Sequence, residues 1–428
     1  MEEIRLSRTY TSEEQKQYLR IPFEVGENIE RIKISYAYLR HKQRQTPYGE
    51  EKREINIIDL GLFDEQGQLC GWSGSERLSV VVSENHSTPG YRRLPIRRGT
   101  WQVALGIYKV ETSVEVQLTI RLVPKQRRWL RGDLHMHTLN SDGIYTTDEV
   151  IAYAKHAKLD FIALTDHNNT EQNKEIGNPQ GITVISGMEY TNYGGHANFF
   201  FTDDGIFTAN PLSNTKEEMQ ATIAEAKRRN AIVSLNHICD TGCPWVLGFD
   251  IPYDLIEVWN GFIKPSDMQA IAWWHQRLAE GRHLAAVGGS DTHRIEQGRS
   301  HGTPTTYVHA LSCAPMDILD ALVEGRSFIT ATADGARLDL HLGSSGLGET
   351  STWNDRLEGE ASVDGAKQGD RLILISDQGV EASWNAEYDG SLTFAFLVEK
   401  RRFYRIELYR KTLGIELLAA LTNPVYLN

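Results

Sequence analysis

The chain has 428 residues, enough for two or three domains of roughly 150 residues each, and its 40% hydrophobic and 24% charged residues are ordinary values for folded domains. Its formal net charge of −12 argues against broad nonspecific binding to nucleic acid, because such binding needs clustered positive charge. The sequence has no apolar segment of membrane-spanning length and begins without the apolar core of a signal peptide, so we expect a cytoplasmic protein.

Residues 1–127 are predicted to form a β-sandwich-like domain. Apolar and polar residues alternate at 31–39 and 113–120, which is the period of half-buried strands, and Gly and Pro residues separate such runs. Sandwiches of this kind bind sugars, act as scaffolds or form dimer surfaces. The sequence therefore leaves open both the role of this domain and whether the protein is a homodimer. The segment 124–128 is interpreted as a linker.

Residues 128–335 alternate apolar strand-like runs with helical patterns, which favours a parallel α/β barrel. A capping box from Thr146 to Glu149 precedes the first helix, and Gly325 follows the last one at the position of a C-terminal cap. The predicted helices are 150–158, 216–229, 272–280 and 316–324. From 336 to 428 the pattern returns to strands, so we predict a third, β-rich domain there.

The most informative stretch contains His135 and His137, followed five residues later by Asp142. The run before it is apolar enough to form a strand, and residues two apart on a strand point to the same face. Both imidazoles can therefore reach one metal ion, and Asp142 in the following loop can hold a neighbouring ion.

Further metal-binding residues follow other apolar runs downstream, mostly at the ends of predicted strands. Because carboxyl ends of barrel strands converge on one face, we expect these side chains to meet. Nine such residues are too many for one tetrahedral ion and suit two or three ions that share a carboxylate. No thiolate belongs to the set, so Zn, Mn or Fe is expected. The nine are His135, His137, Asp142, His167, Glu189, His196, His237, Asp291 and His293.

The alternative for each of these histidines is a structural or merely exposed residue, and for one histidine alone it is the commoner case. Their joint recurrence at strand ends is hard to explain by packing, because buried polar groups need partners and a metal supplies one. Cys239 and Cys243 lie close enough in sequence to allow a metal site or a disulfide. We interpret them as two reduced thiols in a loop, since four scattered cysteines do not make a disulfide framework.

In order and spacing, these motifs resemble the PHP domain, named for polymerase and histidinol phosphatase. The resemblance extends over about residues 130–335 and includes Thr165-Asp166-His167, Asn236-His237 and Ser290-Asp291-x-His293. It implies an α/β fold, a distorted (β/α)7 TIM-like barrel with a trinuclear metal site, here flanked by β-rich N- and C-terminal domains.

The resemblance also implies which residues share each metal. The first metal would be held by His135, His137, Glu189 and Asp291. Glu189 would bridge to a second metal, completed by His196 and His237, and Asp142, His167 and His293 would hold a third. Many relatives have Pro after the equivalent of His237, whereas this chain has Ile238, a difference in the turn and not in the ligand.

The flanking sequences are similar to one branch of the PHP family, which has a β-rich leader and includes carbamate and amide hydrolases. The segments that carry this similarity are 58–64, 71–74, 88–91, 99–103, 257–261 and 420–427.

The predicted function is that of a multinuclear metal-dependent hydrolase in which a metal-bridging hydroxide attacks the substrate. The first hypothesis is a phosphoesterase acting on a small phosphate ester, a phosphodiester or a short oligonucleotide. The second is a carbamate or amide hydrolase with the same metals. A third is a binding protein with a closed, structural metal cluster. Phosphate needs a cation near the metals, whereas a carbamate needs aromatic walls, for which four tryptophans are candidates, Trp245, Trp259, Trp273 and Trp274.

Four residues are predicted to be catalytic. Glu189 and Asp291 belong to the metal set. Arg294 follows His293 directly and could contact a phosphate oxygen, with a surface arginine as the equal alternative. His301 could protonate a leaving group, although a loop histidine is the commoner case.

Overall fold

The structure is a computed structural model that describes residues 2–201, 212, 215–296 and 299–428. The chain divides into two compact units, Met1–Gln126 and Arg127–Asn428. The second unit contains all the predicted metal ligands.

The first unit consists of strands with a single apolar core. Its two four-stranded sheets have the orders β1-β10-β3-β8 and β2-β9-β6-β7, and β4 and β5 form a separate hairpin. The strands are β1 (Glu2–Thr11), β2 (Tyr18–Val25), β3 (Ile29–Tyr38), β4 (His41–Thr46), β5 (Gly49–Glu54), β6 (Ile57–Phe63), β7 (Leu69–Ser73), β8 (Ser79–Ser83), β9 (Gly99–Lys109) and β10 (Ser113–Pro124).

The alternation noted at 113–120 explains the burial along β10. Val114, Val116 and Leu118 are buried, whereas the residues between them are exposed. These side chains pack with residues of the other sheet, such as Leu60 and Val103, in one cluster. Burial of alternate residues thus determines which face of each sheet is apolar.

Among its described residues, the second unit begins with nine strands and five helices, and the predicted ligands lie in or after six of the strands. The strands are β11 (Arg128–Asp133), β12 (Phe161–Leu164), β13 (Thr183–Asn192), β14 (Gly195–Phe201), β15 (Ile232–Leu235), β16 (Leu255–Asn260), β17 (Ala285–Gly289), β18 (Thr305–Ala310) and β19 (Ser327–Thr330). The helices are α1 (Thr147–His156), α2 (Glu171–Glu175), α3 (Lys216–Arg228), α4 (Pro265–Ala279) and α5 (Pro315–Val323).

The predicted parallel strands are present, but the predicted closed barrel is not confirmed. Strands β11, β12 and β13 pair in parallel, as do β15, β16 and β17. Between the two groups β14 is antiparallel to both neighbours, and β18 is antiparallel to β11. Among the described residues, the hydrogen-bonded order runs from β17 to β11 and on through β18 and β19 without returning to β17. The fold is therefore mixed α/β.

The segments that follow β11 and β17 nevertheless meet at the carboxyl ends of these strands. The His137 N–H donates to the Thr292 carbonyl oxygen at 3.1 Å, and the Asp291 N–H donates to the His135 carbonyl oxygen at 2.8 Å. These hydrogen bonds bring the first and last predicted ligand pairs together.

The C-terminal strands are β20 (Arg337–Leu342), β21 (Thr350–Ser351), β22 (Glu358–Ala366), β23 (Arg371–Ser376), β24 (Gly379–Asn385), β25 (Gly390–Leu397), β26 (Phe403–Thr412), β27 (Ile415–Thr422) and β28 (Val425–Leu427). Six of them extend the same sheet, since β27 pairs with β19 and β26 with β27, whereas β20, β22 and β25 form a separate three-stranded sheet. The buried Asn423 side chain accepts from Ala286 N–H at 2.7 Å and donates to its carbonyl oxygen at 2.9 Å. A boundary between domains near residue 335 stays a prediction.

Helix α4 begins seven residues before its predicted start at 272. Pro265 occupies the first turn, and the Asp267 carboxylate accepts the Lys264 N–H at 2.9 Å. Both features favour a helix start, but they precede the apolar pattern on which the prediction relied. Among the described helices, none combines the length and the apolar composition that a membrane-spanning helix requires.

Candidate metal centre

The metal-binding side chains come from strand ends and from one hairpin. His135 and His137 follow β11, His167 follows β12, and His237 follows β15. Glu189 lies within β13, which continues to Asn192 and turns into β14, where His196 is the second residue. Asp142 lies in the loop after His137, and Asp291 and His293 follow β17.

The Glu189 carboxylate lies at the centre of the cluster and is almost completely buried. Its Oε1 lies 3.2 Å from His135 Nε2, 3.1 Å from His196 Nδ1 and 3.4 Å from His237 Nε2. Burial alone would raise its pKa, but the surrounding imidazoles, His135 foremost, hold the pKa of this carboxyl well below its usual value.

The other Glu189 oxygen faces a different pair of imidazoles. Its Oε2 lies 3.0 Å from His167 Nδ1 and 3.5 Å from His137 Nε2. The two oxygens of one carboxylate thus face five histidines, an arrangement that suits a carboxylate shared by two ions.

Asp291 and Asp142 complete the acidic part of the cluster. Asp291 Oδ1 lies 3.0 Å from His137 Nε2, and Asp142 Oδ1 lies 3.1 Å from His293 Nε2 and 3.6 Å from His167 Nε2. The imidazoles lower the pKa of the Asp291 carboxyl against the opposing effect of burial. Asp291 also has a positive φ of 50°, a conformation that its N–H bond to His135 helps to hold.

Three groups of side chains offer ligand atoms that lie within 4.8 Å of one another. One is His135, His137 and Asp291; a second is His137, Asp142, His167 and His293; the third is His196, His237 and Cys243. These groups include eight of the nine predicted residues, and the ninth, Glu189, lies between them, but the grouping differs from the one implied by the resemblance. His137 belongs to two groups, and a cysteine belongs to the third.

The donor set fits divalent metal ions. His135 Nε2 and His137 Nδ1 are buried and make no hydrogen bond with any described residue. His135 Nε2 lies near Glu189 without hydrogen-bond geometry. Buried polar atoms rarely stay unsatisfied, and imidazole nitrogens among carboxylates are typical ligands of Zn, Mn or Fe.

Two supporting residues were missed by the sequence analysis. Glu257 Oε1 accepts from His135 Nδ1 at 2.9 Å, and its Oε2 accepts the backbone N–H of His237 at 3.1 Å. The Asn236 amide donates to Glu189 Oε1 at 2.9 Å. Such partners fix the tautomer and orientation of ligands. Glu257 lies inside strand β16, a position that gives no ligand-like signal in sequence.

Cys243 is the third residue that sequence reasoning missed as a metal-site residue. Its Sγ lies 3.6 Å from His237 Nδ1. All four cysteines are free, as expected from their scattered positions.

The other two predicted catalytic residues lie outside the three groups. Arg294 is exposed. His301 is buried beside the rings of Tyr145 and Tyr153, at centroid distances of 6.4 and 5.8 Å. Burial lowers the pKa of His301 to about 4, so its environment favours the neutral imidazole and disfavours a proton-donor role at neutral pH. Their catalytic roles stay predictions.

A cavity of about 540 Å³ borders the third group. None of the described residues that line it is a lysine or an arginine. It is lined by Asn168, Thr191, Asn192, Tyr193, His196, Leu212, Gly242 and Cys243. The four candidate tryptophans do not line it, and Trp245, Trp259 and Trp274 belong to the buried core.

Residues 133–238 match the sequence model of the PHP domain family. This part of the chain is similar to the PHP domain family. The match begins just before His135 and ends just after His237, so it spans seven of the nine predicted ligands of the PHP domain and confirms the resemblance. A comparison with curated proteins finds no match to this sequence.

Solved structures give distant likenesses. A two-domain protein from Bacteroides vulgatus ATCC 8482, containing a predicted PHP-like metal-dependent phosphoesterase, is 19% identical, with 70% of this chain and 97% of that chain covered and a TM-score of 0.41. An amidohydrolase from Chromobacterium violaceum, solved with bound sulfate and no metal, is also 19% identical, with 40% and 90% covered and a TM-score of 0.30.

Proposed function

We infer that this protein is a metal-dependent hydrolase, and specifically a phosphoesterase for a small phosphate ester, a phosphodiester or a short oligonucleotide. The observation that carries this proposal is the buried Glu189 carboxylate, within 3.5 Å of nitrogen atoms on five histidines. A PHP domain with this donor set supports two or three divalent ions, held by the nine predicted ligands. Bound divalent ions would supply an activated water near neutral pH and neutralise charge on the substrate.

The chain's own residues would position the reaction. Glu257 accepts from His135 Nδ1, which leaves Nε2 free to face the centre. Asn236 holds the Glu189 carboxylate by a hydrogen bond to Oε1, and Thr191 Oγ1 lies 2.7 Å from His167 Nδ1. Because these partners are fixed before substrate binds, little reorganisation is needed during the reaction.

Carbamate or amide hydrolysis is the second candidate, and one observation favours it. The cavity beside His196 has no lysine or arginine among its described lining residues. Asn192 lines it, is 8% exposed, and its Nδ2 has no hydrogen-bond partner among the described residues. A neutral carbonyl oxygen would satisfy this donor.

The test is metal content together with hydrolysis of bis-nitrophenyl phosphate, nitrophenyl phosphate and a naphthyl carbamate, with Mn or Zn added. We expect two or three ions per chain and turnover of a phosphate ester. Turnover of the carbamate alone would establish the second candidate. A protein that binds no metal would contradict both.

The matched variants are Glu189→Gln and Glu171→Gln. Removal of supporting groups alone weakens metal binding by about 10- to 100-fold, so loss of the Glu189 charge is expected to reduce metal affinity and hydrolysis by about 100-fold or more. Glu171 is exposed and pairs only with Lys174 in a surface contact, so its variant should behave as wild type. Unchanged metal content in Glu189→Gln would contradict the site.

A further inference from the structure

The loop after β15 folds back over His237. The Asp240 N–H donates to the His237 carbonyl oxygen at 2.8 Å, and the Asp240 carboxylate accepts the N–H groups of Gly242 at 2.8 Å and Cys243 at 3.4 Å. Lys264 Nζ lies 3.2 Å from the same carboxylate. This turn returns the chain to the imidazole six residues after leaving it.

The residues that follow Cys243 are also fixed by backbone hydrogen bonds. The Trp245 N–H donates to the Ile238 carbonyl oxygen at 3.0 Å, and the Val246 N–H donates to the Gly194 carbonyl oxygen at 2.8 Å. A Cβ on Gly195 would lie 2.4 Å from the Trp245 ring, so the loop packs directly on the hairpin that carries His196. The two histidines and the cysteine are therefore fixed relative to one another from both ends.

Resting on the proposed metal-dependent function, we propose that Cys243 is a thiolate ligand of a metal ion held with His196 and His237. One ligand atom from each of these residues lies within 4.8 Å of the other two. Cys243 is only partly buried and borders the 540 Å³ cavity, from which an ion can enter. The thiolate distinguishes this position from the other two groups, whose ligands are imidazoles and carboxylates.

The ligand set of His196, His237 and Cys243 favours zinc. A thiolate with two imidazoles is typical of zinc even where a carboxylate such as Glu189 lies nearby, whereas sets of imidazoles and carboxylates without a thiolate also suit harder ions such as manganese. We expect the His196–His237–Cys243 position to retain Zn²⁺ when the other positions are exchanged for Mn²⁺.

The experiment is titration of the metal-stripped protein with Co²⁺, followed by near-ultraviolet absorption. The variants are Cys243→Ser and its matched control Cys239→Ser. Cys239 lies four residues away in the same loop, but its side chain packs against the apolar core. We expect a thiolate-to-cobalt charge-transfer band in the wild type and in the control, and its loss in Cys243→Ser.

If the wild type binds Co²⁺ but shows no charge-transfer band, the proposal is overturned and the proposed function still stands. Such a result is expected if the Cys243 thiol only orients the His237 ring and does not bind the ion. A band that persists in Cys243→Ser would also overturn it. Absence of Co²⁺ binding by the wild type would overturn the proposed function as well.

A second measurement needs no variant. Alkylation of the wild-type thiols by iodoacetamide, mapped by mass spectrometry, should be slowed at Cys243 by one equivalent of Zn²⁺ and left unchanged at Cys239, because a metal-bound thiolate is a poorer nucleophile. Equal alkylation of Cys243 with and without bound zinc would overturn the proposal.

Discussion

At the scale of single residues, the candidate metal centre contains groups that hold the proposed ligands in place without being ligands themselves. Glu257 contacts two histidines without belonging to any of the three ligand groups. Without the Glu257 side chain, the His135 ring is expected to lose its fixed orientation, although every proposed ligand is still present.

His301 differs from His135 because its imidazole is buried and neither ring nitrogen has a hydrogen-bond partner among the described residues.

Because the His301 imidazole is buried, we expect the free energy of unfolding to fall at acidic pH. Its pKa is lowered from 6.5 to about 4 by burial, so the unfolded chain binds a proton more readily than the folded one. The stability it contributes is present above pH 6.5 and is lost as pH falls towards 4. The difference in unfolding free energy between about pH 7.5 and 4.5 should shrink by about 2 to 3 kcal/mol in His301→Phe.

Urea unfolding of the two proteins at both pH values measures this difference. His156→Gln, at an exposed position on α1, is the control and should keep the wild-type pH dependence. An identical acid loss in His301→Phe and wild type would show that other groups cause it.

At the scale of elements, β11 and β17 approach so closely at their carboxyl ends that β17 must end in glycine. A Cβ on Gly289 would lie 2.4 Å from His135 Cβ and 2.8 Å from Glu257 Oε1. The constraint is one of space, and it couples the backbone of β17 to the orientation of a predicted ligand.

Gly289→Ala is expected to displace His135 and its partner Glu257. Overpacking of this kind lowers the free energy of unfolding by about 1 to 3 kcal/mol. Metal content should fall together with stability, as measured by urea unfolding and by elemental analysis. Gly177→Ala, where the added Cβ would meet nothing within 4 Å, should match the wild type. A Gly289→Ala protein with wild-type stability and full metal content would contradict the close packing of Gly289 against His135.

At the scale of the whole molecule, the second unit relies on its C-terminal strands. Strand β27 covers the edge of β19, and buried Asn423 bonds to both backbone groups of Ala286 in β17. A buried ion pair, Arg405 with Glu407, packs over the Trp274 ring of α4 at 5.2 Å. Residues 127–335 therefore share their core with residues beyond 335.

Two truncated chains test this dependence. Residues 1–126 have a core of their own and should unfold cooperatively in urea. Residues 127–335 would expose the β19 edge and the apolar surface under β27, so we expect aggregation or loss of cooperative unfolding. The full second unit, 127–428, is the control. Cooperative unfolding of 127–335 would support the predicted boundary at 335/336.

Local patterns in the sequence were enough to predict strands and helices that the structure contains, and to single out nine candidate metal ligands that lie close together in it. Two histidines at a spacing of two, placed after an apolar run, share a face because of the period of a strand, and no distant residue is needed to infer it. The capping box at Thr146 likewise lies within four residues, and the structure contains it.

Only the tertiary structure decided how these pieces pair. The antiparallel pairing of β14 with β15 and the open strand order follow from hydrogen bonds between segments far apart in the chain, which no local period encodes. Glu257 reaches His135 across 122 positions, and Cys243 reaches His237 through a turn stabilised by the Asp240 side chain. Local periods fix which face a side chain takes, whereas partners in space depend on the fold of the whole chain.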